Sequence, residues 1–319
     1  MDKPKLNVGI IGTGKIGTDL LFKINKSQKL QCKLFVGRNA SSEGIKKAKS
    51  MGIPTSDKSV DAFVKNPRAC DLVFDATSAN GHRASADTFA SLGIKIVDLT
   101  PAQVGPLCIP TINANQILQC NNVNMVTCGG QASIPVLNVV ASLFNDIEAI
   151  SIESHLASDS VGQATLDNID DYYSTTANAI SVFTGVDKDN VNVDLKVERS
   201  SWKPDMLTTL RIKLANANIN ELFAPLQSRL AALREHVPGY NIVGTPSYRD
   251  DVIEILVSVR GQGDWIPEHA GNLDIINSAA IHVAELYASK VLSLSDNESE
   301  GIHQKIANLF RREPNTETA

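Results

Sequence analysis

The sequence predicts a two-domain α/β chain: a doubly wound parallel sheet first, an α+β unit second, and a last long helix that returns to the first domain. Three observations lead there. Over residues 1–130 short apolar runs alternate with helix-length segments, the pattern of a parallel sheet. From about residue 148 the strands instead alternate inward and outward residues, as one-sided sheets do. At 319 residues the chain is also long for a single core. Hydrophobic residues at 43% and charged residues at 20% describe an ordinary globular protein. The net charge of −5 and the lack of a long basic run argue against nucleic acid as a partner. No apolar run approaches the roughly 18 residues of a membrane span, so no membrane partner is expected. Met1 to Lys5 carry no signal-peptide core. The five cysteines (Cys32, Cys70, Cys108, Cys120, Cys128) form no CxxC pair, which favours a reducing cytoplasm and gives no support to a metal site or a disulfide framework.

The first strand, Leu6 to Ile11, runs straight into Gly12-Thr13-Gly14-Lys15-Ile16-Gly17 and then a helix from Asp19. This is the GxGxxG pattern in the strand–turn–helix context of a dinucleotide-binding Rossmann domain. Gly12 permits the tight turn, Gly14 the approach of a pyrophosphate, and Gly17 close helix–strand packing. The second strand, Cys32 to Val36, ends in Gly37-Arg38-Asn39 instead of the Asp or Glu that would hold an NAD ribose. Arg38 suits a 2′-phosphate, so NADP, or both cofactors, is expected; a solvated arginine beside a turn is the alternative. Strands at Leu72–Ser78 and Lys95–Thr100 flank a helix from Ala84 to Leu92. Thr77 and Ser78 fall at a strand's carboxyl end, where such sheets bind ligands. His82, close by, reads as a turn histidine with a structural hydrogen bond ahead of an acid/base. Pro101, Pro106 and Pro110 mark an extended loop.

An apolar strand from Val123 to Thr127 then delivers Cys128-Gly129-Gly130, and Ser133-Ile134-Pro135 opens a helix. A cysteine at such a turn lies near free amides and a helix dipole, which favour the nucleophilic thiolate. The two glycines leave room for a carbonyl and can aim amides at an oxyanion. An inert buried cysteine is the competing interpretation. Beyond it, strands are expected at Glu148–His155, Val191–Val197, Leu207–Leu214 and Val252–Val259, with helices at Asp167–Phe183, Ile219–His236 and Gly271–Leu292. The tail from Ser293 carries an amphipathic element (Ile302, Ile306, Leu309, Phe310) read as a docked surface helix or a partner handle.

The stretches Ile10–Leu20, Val73–Ala79, Asp98–Ala102, Asn122–Pro135 and Ala270–Ile275 together resemble the acylating acetaldehyde dehydrogenases, CoA-dependent enzymes of the glyceraldehyde-phosphate and aspartate-semialdehyde dehydrogenase architecture. The resemblance implies a dinucleotide-binding domain of residues 1–130 with 270–292, a catalytic and dimerisation domain of 131–269, and a tail of 293–319. It makes Cys128 the nucleophile that forms a thiohemiacetal and then an acyl thioester, with coenzyme A as acyl acceptor. It places Thr13 to Ile16, the loop Ser160-Val161-Gly162-Gln163-Ala164-Thr165-Leu166-Asp167-Asn168, and Asn272 around the cofactor. It also implies a homodimer and a 4-hydroxy-2-oxoacid aldolase partner. The family's Gly-Pro-Gly-Thr-Arg run is here Gly162 to Leu166, without the arginine, and the segment before Gly271 is shorter. Asp205, in Lys203-Pro204-Asp205-Met206, is the nearest match to a family aspartate that orients groups near the thiol. Two alternatives stand beside this one: a semialdehyde dehydrogenase or acyl-phosphate reductase using phosphate instead of CoA, and a non-catalytic cofactor-sensing protein.

Overall fold

A computed structural model describes residues 4–161 and 169–295. The amino-terminal strands β1 (Leu6–Ile11), β2 (Leu30–Val36), β3 (Thr55–Ser56), β4 (Leu72–Asp75), β5 (Lys95–Asp98) and β6 (Asn122–Asn124) form one parallel sheet in the order β3-β2-β1-β4-β5-β6. Both faces are buried, which is why the strands read as nearly unbroken apolar runs. Val8 and Ile10 point to one core; Ile11, Val73 and Ile96 point to the other, with Phe63 and Phe89. Helices α1 (Lys15–Lys26), α2 (Glu43–Ser50), α3 (Asp61–Lys65), α4 (Ala79–Ser91) and α5 (Pro110–Ile117) connect the strands, and α6 (Cys128–Leu143) leads out of this sheet.

The second sheet, β7 (Ala149–Ala157), β8 (Val191–Glu198), β9 (Met206–Lys213), β10 (Tyr240–Arg249) and β11 (Val252–Val259), has the order β10-β11-β9-β7-β8. It is mixed, because β7 and β8 run parallel and the other pairs antiparallel. One face packs on α6 and α8 (Phe223–Arg234) through Ile150, Ile152, Leu210, Ile255, Leu226 and Leu230. Helix α7 (Ile169–Thr184) packs on α6, and α9 (Gly271–Ser295) returns to α1, placing Ile276, Ala280, Val283 and Tyr287 in the first core. Lys23 of α1 fastens this return by donating to Asp274 (2.6 Å) and Asp264 (2.7 Å). Among the described residues no helix is long and apolar enough to cross a membrane.

Four local expectations change. Strand β6 stops at Asn124, three residues before Thr127, and α6 starts at Cys128, five before Ser133. Pro110 opens α5, where its missing N–H costs nothing, so the expected loop is partly helical. Strand β10 escapes the sequence because Gly244, at φ +71°, and a register shift between Val243 and Ser247 interrupt its alternation. The proposed tail helix lies outside the described residues.

The carboxyl ends of β4, β5 and β6 carry Asp75, Asp98 and Asn124 as direct cross-strand neighbours. His82, fully buried on α4, joins the two carboxylates: its Nδ1 lies 2.9 Å from Asp75 Oδ2, and its Nε2 lies 3.4 Å from Asp98 Oδ2 and 2.9 Å from Asn122 Nδ2. Burial raises the Asp98 carboxyl to about 7, against the opposing pull of His82. Burial also pulls His82 down, but the Asp75 hydrogen bond and the charges of Asp98 and Asp75 outweigh it and leave the ring above its usual 6.5. Both shifts let the folded protein keep protons that the unfolded chain releases, Asp98 between about pH 4 and 7 and His82 above that. Stability from this cluster therefore falls as pH rises. Wild type should lose stability relative to Asp98→Asn between about pH 4 and pH 7 in urea denaturation; parallel pH curves for the two proteins would contradict the assignment.

Candidate active site

The site is built on a backbone turn. Val126 has φ +64°, a conformation that a β-branched residue avoids. Asn124 holds it there: its Oδ1 accepts the Val126 N–H (2.9 Å), while its Nδ2 donates to Asp98 Oδ2 and to the Thr100 carbonyl (2.8 Å each). The buried Gln131 side chain adds donors to the Met125 and Cys108 carbonyls (2.8 Å each). Beyond the turn Thr127 is extended, and its Oγ1 accepts the Gly130 N–H at 3.0 Å, capping α6. Cys128 is thereby the first residue of the helix. Gly129 is required by close approach, since a methyl at that position would overlap the Tyr172 hydroxyl.

Cys128 opens into a pocket of about 70 Å³ walled by Ile16, Thr77, Thr100, Leu156, Tyr172 and Asn272. Its sulfur faces the amides of Cys128 and Gly129 and lies 4.0 Å from the Tyr172 hydroxyl. Burial nevertheless pushes the thiol up to about 11. The expectation of a ready thiolate is corrected here: in an apolar pocket with no Lys, Arg or His in its lining among the described residues, desolvation outweighs the helix start. No group of three or more potential metal ligands occurs among the described residues.

A larger groove of about 970 Å³ adjoins this pocket and shares Thr77 and Ser78 with it. Gly12, Thr13, Gly14, Arg38 and Asn39 line it. The fit to a dinucleotide follows from what the glycines meet. Gly12, at φ +111°, lets the Ala76 backbone approach, whereas Gly14 faces open space. No side chain caps α1 and no acidic residue stands in its first turn, so the helix start is free for a pyrophosphate. At the other end, buried Asn272 donates from Nδ2 to the Ser160 carbonyl (3.0 Å), and its Oδ1 has no partner among the described residues. That oxygen suits a carboxamide donor, as nicotinamide carries. Thr100 Oγ1, on the same pocket, is likewise unpartnered among the described residues.

The structure thus brings Gly12, Thr13, Gly14, Arg38, Thr77 and Ser78 to one groove, and Ile16, Val161, Asn272 and Cys128 to the adjoining pocket. Gly17 is buried against the Gly12 carbonyl and serves packing. Lys15 donates to the Asp159 carbonyl, and Ser160 spends its hydroxyl on the Ala157 carbonyl (2.7 Å). Gly162, Gln163, Ala164, Thr165, Leu166, Asp167 and Asn168 lie outside the described residues. Asp205 does not line the Cys128 pocket; its carboxylate sits 3.4 Å from Arg260, just before β9. Sequence reasoning missed Tyr172, Thr100, Asp98 and Asn124. A signal existed for the last two: three apolar runs end in Phe74-Asp75, Val97-Asp98 and Val123-Asn124.

Residues 7–120 match the semialdehyde dehydrogenase NAD-binding domain, and residues 128–267 match the prokaryotic acetaldehyde dehydrogenase dimerisation domain. An acetaldehyde dehydrogenase of Pectobacterium atrosepticum is 43% identical over 288 residues, 89% of this chain and 96% of that protein. One from Spirochaeta aurantia is 44% identical over 283 residues, 89% of this chain and 95% of that protein. Among solved structures, aspartate semialdehyde dehydrogenase with NADP from Candida albicans superposes with a TM-score of 0.62 at 14% identity, covering 91% of this chain and all (100%) of that one. That likeness shows the shared fold. With the cysteine turn and the dinucleotide groove in place, these matches establish that the chain belongs to the acetaldehyde dehydrogenase family of aldehyde-oxidising oxidoreductases.

Proposed function

We propose that the protein converts a small aldehyde to its acyl-CoA, with Cys128 as the acyl carrier. The observation that carries this is the position of Cys128: its pocket joins the dinucleotide groove at Thr77 and Ser78. The Cys128 thiolate attacks the aldehyde carbonyl, forming a carbon–sulfur bond and an oxyanion stabilised by local amides. The bound nicotinamide supplies the hydride acceptor. Loss of the hydride from the thiohemiacetal carbon restores the carbonyl and leaves an acyl thioester on Cys128. The coenzyme A thiol then attacks that carbonyl, its proton passes to solvent, and Cys128 leaves as thiolate. Aldehyde, CoA and oxidised cofactor give acyl-CoA, reduced cofactor and one proton.

The pocket is lined mostly by apolar side chains, Ile16, Leu99, Val126 and Leu156 among them, which favours a short apolar aldehyde such as acetaldehyde. Among the described residues the lining is apolar and hydroxyl-bearing, a setting suited to an acyl group passing between thiols. Exposed Arg38 at the far end of the groove supports NADP, or both cofactors. A homodimer through the second domain is supported by the dimerisation match and by half-exposed Leu207, Val252 and Leu256 on the open face of the sheet.

Cys128→Ala should lower CoA-dependent formation of reduced cofactor from acetaldehyde by about 10³-fold or more, with dinucleotide affinity unchanged. Turnover by that variant, or wild-type turnover with phosphate in place of CoA, would contradict the proposal. Arg38→Ala should raise the KM for NADP about tenfold and leave that for NAD nearly unchanged. Equal changes in the two steady-state constants would refute the 2′-phosphate contact.

A further inference from the structure

Tyr172 stands at the inner wall of the Cys128 pocket and is 3% exposed. Two threonines fix its place. The Thr176 hydroxyl donates to the Tyr172 carbonyl (2.7 Å) and lies 2.7 Å from the hydroxyl of Thr127, the cap of the Cys128 helix. The first described turn of α7 is thus stitched to the turn that carries the thiol. The Tyr172 hydroxyl meets Cys128 Sγ on one side (4.0 Å) and the Ser154 hydroxyl on the other. Ser154 in turn lies 3.1 Å from Thr208, its register partner on β9. Ser154 and Thr208 are 1% and 0% exposed, on sheet faces otherwise given to Ile152, Leu156, Leu210 and Ile212. Hydroxyls buried among such neighbours are costly unless they bond one another. Thr208, Ser154, Tyr172 and Cys128 therefore form one polar line ending at the sulfur.

We propose that Tyr172 is a catalytic residue whose hydroxyl donates a hydrogen bond to the Cys128 thiolate, with the Ser154 and Thr208 hydroxyls aligned behind it as successive donors. This rests on the assignment of Cys128 as nucleophile. While the thiol is protonated, its S–H points at the tyrosine oxygen and the hydroxyls face away from it. On ionisation the line reverses, so the thiolate gains a donor without any buried hydroxyl losing its partner. Tyr172 itself stays protonated, because burial and the neighbouring sulfur hold its ionisation well above the usual 10. The other titratable group facing this pair is Tyr173, whose ring lies 5.8 Å from that of Tyr172; no Lys, Arg or His lines the pocket among the described residues. His155 alternates to the opposite face of β7 from Ser154.

The test is Tyr172→Phe, which removes one oxygen and keeps the ring. Cys128 alkylation by iodoacetamide, followed across pH in the full chain by peptide mass spectrometry, should be about tenfold slower at pH 8. Both rates should rise with pH from about 7 to 9 at a constant ratio, because both thiols are mostly protonated across that range. Denaturation midpoint and dinucleotide affinity should stay near wild type, and Ser154→Ala should give a smaller shift of the same sign. If Tyr172→Phe does not fold, Ser154→Ala alone carries the test. Superimposable pH profiles would overturn the role of Tyr172 while leaving the nucleophile in place. A wild-type Cys128 that resists alkylation as fully as buried Cys70 would instead overturn the nucleophile, and this inference with it.

Discussion

The hydrogen bond from the Val126 amide to Asn124 is the constraint on which the site depends. A left-handed valine costs on the order of 1–3 kcal/mol, and the chain adopts it only because its surroundings over-determine it. Asn124 can hold the turn because Asp98 and the Thr100 carbonyl hold Asn124. Asp98 lies beside Asp75 in the sheet register, and His82 joins the two. Asp75 in turn accepts the Thr77 N–H at 2.9 Å. A single buried cluster thus fixes the three segments that meet at the pocket: Thr77 and Ser78, Thr100, and Val126 to Cys128.

Two demands on the thiol conflict. As the proposed nucleophile, Cys128 gains from the amides at a helix start, but its pocket is largely apolar, and burial disfavours the charge. In this protein the second effect is larger, and burial pushes the thiol above its ordinary range. The hydroxyl line from Thr208 to Tyr172 offers a neutral way to offset part of that penalty. A lysine or arginine in the same place would leave an unpaired buried charge whenever the sulfur was protonated or acylated.

Much of this was legible in the residues themselves. The first strand and its glycine turn could be read because period, turn chemistry and helix start agree over one short stretch. Cys128 could be singled out by its neighbours. Its true setting could not be read, since Val126 is a strand former by propensity and the turn is held by the side chains of Asn124 and Gln131. Spacing alone therefore ran the strand on to Thr127 and delayed the helix to Ser133. Tyr172 was invisible for another reason: it sits next to Tyr173, and sequence does not say which of two tyrosines faces a residue 44 positions away. Asp205 shows the converse, a carboxylate near a matching motif whose position the fold commits to Arg260.

Under the proposed function, Cys128 takes an acyl group and passes it on. That covalent intermediate can be sought directly. Enzyme mixed with acetaldehyde and oxidised cofactor, without CoA, is quenched in acid and mapped by peptide mass spectrometry. One acyl group should be found on the peptide carrying Cys128, and it should disappear when CoA is added before the quench. An unmodified Cys128 peptide under turnover-competent conditions, or an acyl group on another cysteine, would contradict the role assigned to this sulfur.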